Sequence, residues 1–76
     1  MGENAVRKRV SHQERERRAL QAELRGAMQA LQANETAFKE AQDPCYIEQL
    51  TYQHAALMCR CRALLRMLRS SGGDDP

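Results

Sequence analysis

Apolar residues recur along this chain at intervals of three and four, and they do so twice, in mirror image. The first series is Leu20, Leu24, Ala27, Leu31, Asn34, Phe38 and Ala41; the second is Ile47, Leu50, His54, Leu57, Cys61, Leu64 and Leu68. Paired outwards from the middle, their numbers sum to 88 in every case, so the pattern reflects about Pro44. Alternating steps of three and four make the seam of a coiled coil. Two such seams mirrored about a proline predict an all-α fold, an antiparallel two-helix coiled-coil hairpin.

The punctuation agrees with the periodicity. Ser11 is the first plausible N-cap, and Glu14 three residues on completes a capping box. The first helix is expected over about 11–42. Asp43-Pro44 then does two jobs. Proline pushes the residue before it out of helical geometry, yet is favoured at the first position of a new helix, and Asp is a strong N-cap. The second helix is expected over about 44–69, ended by Ser70, Ser71, Gly72 and Gly73. Residues 1–10 carry no helical period and are expected as a disordered basic arm, and 70–76 as a disordered tail. Gly26 falls on the outer face of the first helix and costs about 1 kcal/mol against Ala, with no packing role in the hairpin.

The two helices are not equally polar. The first has a narrow stripe widened only by Met28, with Arg25, Gln29, Gln32, Lys39 and Glu40 outside it. The second carries Met58 and Leu65 beside its seam, and a further stripe on its far side: Tyr52, Ala55, Ala56, Cys59 and Ala63. A helix apolar on more than one side is usually covered on more than one side. The expectation is a homodimer through that far stripe, most simply a two-fold four-helix bundle. The other reading of the same residues is that they decorate a free surface.

Composition narrows the class. A chain of 76 residues makes one small domain, and such chains often need a disulfide, a metal or a partner to be stable. It has no Trp, one Phe and two Tyr, so Leu, Met and Ala, all good helix formers, must supply the core. No stretch approaches the roughly 18 apolar residues that a bilayer span needs. Arg7, Lys8 and Arg9 lack the apolar segment of a secretory signal. Cys45, Cys59 and Cys61 are odd in number and fit no disulfide framework, so reduced thiols and a cytoplasmic location are expected.

No side-chain set predicts catalysis or a bound cofactor. Cys59 and Cys61 are two apart and point in different directions on a helix, so they neither bridge nor share an ion. His54 and Cys61 lie about 10 Å apart along the axis, too far for two ligands on one zinc, and no metal is expected. His54 opposite Asn34 is a polar layer in an apolar seam. It reads either as a pH-sensing or ligand site, or as a hydrogen-bonded pair that fixes register. A two-helix rod offers little of the concave pocket an enzyme needs, so no enzyme is expected.

Charge is lopsided although the net is only +2. Eleven of the twelve Lys and Arg residues lie before residue 26 or after residue 59, while Glu35, Glu40, Asp43 and Glu48 cluster by the turn. Folding in half therefore gives a basic open end and an acidic tip. Arg15, Arg18, Arg60, Arg62, Arg66 and Arg69 could contact anions or nucleic-acid phosphates. Against this, Glu14, Glu16 and Glu23 interleave with them, and no aromatic ring stands there to stack on bases. A solvated helix surface, a membrane surface and an acidic protein are the competing readings.

From Leu20 to Arg69 the chain resembles the YaaL family of small bacterial proteins, a domain of unknown function. The resemblance rests on Leu20 and Leu24, then Ala33, Phe38, Asp43 and Pro44 in A-x4-F-K-E-A-Q-D-P, then Tyr46 to Glu48, Tyr52, Ala56 and Leu64 to Arg66. It departs at Cys61, where the family usually has an aromatic residue. It implies a cytoplasmic helical hairpin from Gram-positive bacteria and supplies no activity and no site residues. The functional expectation is an interaction or self-association module with an unidentified protein partner, and in second place a nucleic-acid-binding accessory protein.

Overall fold

The computed structural model describes residues 11–71, so the basic arm and all but Ser70 and Ser71 of the expected tail lie outside the described residues. Helix α1 runs His12–Glu40 and helix α2 Pro44–Ser71, 29 and 28 residues. They pack against each other along their lengths as a helical hairpin, with no strand among the described residues.

The caps form as their residue types dictate. The Ser11 hydroxyl accepts from the Glu14 amide at 3.0 Å, and the Ser11 amide donates back to Glu14 Oε1 at 3.3 Å, a complete capping box. Asp43 caps α2: its Oδ2 accepts from the Tyr46 amide at 2.9 Å and its carbonyl from the Ile47 amide at 2.9 Å. Helix α1 stops at Glu40 rather than Gln42, with Ala41 already extended at φ −73° and ψ 141°. The reversal itself needs those residues. Asp43 must be non-helical to serve as N-cap before Pro44, and the chain turns over the three residues Ala41 to Asp43.

Helix α2 ends at Ser71 rather than Arg69 because α1 supplies donors to its last turn. Arg17 Nη1 donates to the Leu68 carbonyl at 2.9 Å and Gln13 Nε2 to the Ser71 carbonyl at 2.8 Å. The last four carbonyls of a helix have no partner within it; here the start of one helix closes the end of the other.

The seam is thin. Leu50 and Leu64 are buried, Asn34 with them, and Leu20, Leu24, Ala27, Leu31, Ala41, Ile47, Leu57, Cys61 and Leu68 are half-buried. Every one of these is a seam position of the mirror pattern. Phe38 is the exception: it is 46% exposed, and Ala37 beside it is half-buried instead. The ring lies beside the contact, on one face of the hairpin. The energetic weight therefore falls on few side chains. Leu64→Ala is expected to cost about 2–5 kcal/mol, while Met67→Ala, at a half-exposed neighbour, changes stability by less than about 0.5 kcal/mol. Urea unfolding followed by helical circular dichroism measures both; equal costs would contradict this placement of the core.

Candidate interaction surface

A hairpin of two rods has two broad faces beside its seam, and seven-residue spacing sorts the side chains between them, since residues seven apart point within about 20° of each other. One face is marked by an ion pair between the helices, Glu23 Oε1 to Arg60 Nη2 at 2.9 Å. Both partners are half-exposed, so it is worth at most about 1 kcal/mol. Gln53 lies seven before Arg60, and its Oε1 accepts from Asn34 Nδ2 at 3.5 Å. This face also carries small residues, Ala19, Gly26, Ala30, Ala33 and Ala37 on α1 and Ala56 and Ala63 on α2, and two exposed large apolar ones, Tyr46 and Met67, seven before Gln53 and seven after Arg60. A Cβ placed on Gly26 would meet nothing within 4 Å, so nothing within the hairpin calls for glycine there.

The opposite face is concave. A groove of 440 Å³ lies between Asn34, Glu35, Phe38 and Lys39 of α1 and Thr51 and His54 of α2. A second hollow of 330 Å³ continues it along α1 past Glu35 to Met28, Leu31 and Gln32. Met58 and Leu65, one and two heptads after Thr51, carry the same face towards the open end. Met28, Phe38 and Leu65 are exposed on it, Met28 at 56%.

The polar layer of the seam is rearranged from the expected one. Asn34 and His54 do not hydrogen-bond to each other. Asn34, 6% exposed, donates from Nδ2 to the Leu50 carbonyl at 3.1 Å. His54 lies half-buried on the groove side with Nε2 3.6 Å from Glu35 Oε2, too long for a hydrogen bond and an ion pair only when the imidazole is protonated. The physical reason is reach. A short Asn side chain meets the free lone pair of a mid-helix carbonyl opposite it before it meets an imidazole, which swings outward to the carboxylate. Asn34 Oδ1 is left covered and without a partner.

Of the residues expected to form a dimer, Tyr52, Ala55, Ala56 and Cys59 stand exposed on the far side of α2, Tyr52 at 67%, and Ala63 is half-buried. The stripe is thus left uncovered by the hairpin. The Tyr52 hydroxyl donates to Glu48 Oε2 at 3.3 Å. The arginines do not gather on one face. Arg60 is on the ion-paired side, Arg18, Arg62 and Arg69 border the groove side, and Arg15 and Arg66 point elsewhere around the open end, all exposed. Arg60 is engaged by Glu23 and Arg62 Nη2 lies 3.5 Å from Cys59 Sγ. Cys45 and Cys59 are exposed, Cys61 is half-buried, and all three are free thiols. Among the described residues, no three His, Cys, Asp or Glu side chains stand together as a metal site. No helix among them is long and apolar enough to cross a membrane.

The groove residues Glu35, Phe38, Lys39 and Thr51 were not singled out by the sequence as a site. A signal for them exists: the residues following every second seam position include Met28, Glu35, Thr51, Met58 and Leu65, and an antiparallel hairpin brings those positions of both helices to one side. In comparisons with known proteins, the chain matches no family model, no curated protein and no solved structure.

An unmatched buried acceptor costs about 1–3 kcal/mol, and the bond from Nδ2 returns about 1 kcal/mol. Asn34→Leu is therefore expected to raise the unfolding free energy by about 1 kcal/mol. Thermal melts of the wild type and this variant decide it; a variant less stable than the wild type would mean that the amide is better satisfied than its surroundings indicate.

Proposed function

We propose that this chain is a small helical-hairpin interaction module that associates with itself, acting in the cytoplasm of a bacterium. The observation that supports this most is the mismatch between what the hairpin buries and what it leaves out. Leu50 and Leu64 are its buried apolar side chains, whereas Met28, Phe38, Tyr46, Tyr52, Leu65 and Met67 are exposed large ones among the described residues. A small domain with so little interior gains stability chiefly from a partner. Contiguous apolar surface rimmed by polar residues is the usual mark of a protein contact.

The YaaL resemblance belongs to the same reading. It rests on the Phe38-x4-Asp43-Pro44 turn and the residues that follow, and it adds a bacterial, cytoplasmic setting without adding an activity. The arginines of the open end are read as solvated helix surface and as the rim of a protein contact. Their spread around both helices, with Arg60 held by Glu23, favours this over a phosphate-binding track.

Sedimentation equilibrium tests the reading. The wild-type chain is expected at twice its 8.7 kDa mass. A stable monomer at all accessible concentrations would remove self-association. In a mobility-shift titration with short duplex DNA, no retardation is expected at low salt. A shift that weakens steeply as salt rises and is lost when Arg62, Arg66 and Arg69 become Gln would instead assign the open end to nucleic acid.

A further inference from the structure

We infer that the second copy docks on the grooved face, reversed end for end, rather than on the far stripe of α2; this rests on the self-association reading above and assigns its interface. Two features of that face converge. It is concave, with a groove of 440 Å³ and a second hollow of 330 Å³ continuing it along α1. It also carries its own complement, because the groove lies towards the tip and the exposed Met28 and Leu65 lie towards the open end.

The register follows from the layers of the seam. Leu31 and Leu57 form the middle layer. Take a two-fold axis through that layer, lying in the contact plane and across the helices. Each α1 then runs antiparallel to its copy, and so does each α2. A residue a given number of steps on the tip side meets one the same number of steps on the open side. Met28 of the second copy falls over Asn34 and Glu35, and its Leu65 over Thr51 and Glu48, so the two side chains bracket the groove mouth. The same operation sets Arg25 midway between Glu35 and Lys39 of the second copy, and Glu48 between Arg62 and Arg69. Arg25 lies two heptads before Lys39, which lines the groove. Arg62 lies four after Met58 and three before Leu65, neighbours on one helix face.

The alternative two-fold axis, along the helices, sets tip against tip. It places Arg25 against Arg62 and Arg18 against Arg69, four like-charge encounters per dimer against two opposite-charge ones of Lys39 with Glu48. Like charges facing across an interface suppress that arrangement. Size is adequate as well. A face about 43 Å long and about 20 Å wide, from the rise and diameter of two helices, offers roughly 850 Å² per copy, close to the about 800 Å² per partner of a standard specific interface.

Sedimentation equilibrium of the full chain, with circular dichroism to check helicity, tests this with five variants. Met28→Glu with Leu65→Glu is expected to abolish the dimer, and Ala56→Glu on the other side to leave it intact. Glu48→Arg, and Arg62→Glu with Arg69→Glu, are each expected to weaken association at least tenfold, and their combination to restore it. Should Met28→Glu with Leu65→Glu lose its helicity, the charge-swap pair decides alone. A wild-type dimer that survives Met28→Glu with Leu65→Glu but is split by Ala56→Glu overturns the interface and leaves self-association standing. A wild-type dimer with no rescue in the charge swap overturns the reversed register. A monomeric wild type fails both readings, and if that monomer sediments with vesicles of anionic phospholipid, the grooved face belongs to a membrane surface instead.

Discussion

Two helices lying side by side can hide only one stripe of each other, and that constraint governs this molecule. A rod has a full circumference, and a single neighbour covers about a third of it. The chain places most of its leucines on the stripe that is covered, and Leu50 and Leu64 are buried there. Whatever apolar surface it carries elsewhere has to stay in water or meet another molecule. Met28, Phe38, Tyr52 and Leu65 follow from this geometry rather than from poor folding.

The hairpin compensates for its thin interior at its ends. Asp43 and Pro44 divide the work of stopping one helix and starting the next, with the Asp43 carboxylate on the Tyr46 amide. At the open end, Arg17 and Gln13 take the last carbonyls of α2, so that end is tied by polar contacts where apolar ones run out. The Glu23–Arg60 pair bridges the helices between these points. Each of these contacts is modest in water, and together they select the antiparallel alignment more than they stabilise it.

The bend, both caps and nearly the whole seam could be read from residue order, because they depend on local chemistry and on a period. Ser11 with Glu14, Asp43 with Pro44, and the mirrored series apart from Phe38 stand where they were expected. What could not be read depends on which of two sides a side chain takes. Periodicity places Phe38 at the seam but does not say that its ring stands half-exposed beside it. It places Asn34 opposite His54 but not that a carbonyl of Leu50 intercepts the amide. It shows a second apolar stripe on α2, yet the hollow opposite Thr51 arises only once both helices stand side by side.

The sharpest single measurement is an isotope-filtered nuclear Overhauser experiment on an equal mixture of labelled and unlabelled protein. It asks whether the side-chain amide of Asn34 is close to Leu50 and Gln53 of its own chain. The expected result is strong contacts within one molecule, the signature of a chain folded back on itself at Pro44. Contacts seen only between labelled and unlabelled molecules would mean two straight rods exchanged, and would contradict the hairpin and the open face it leaves.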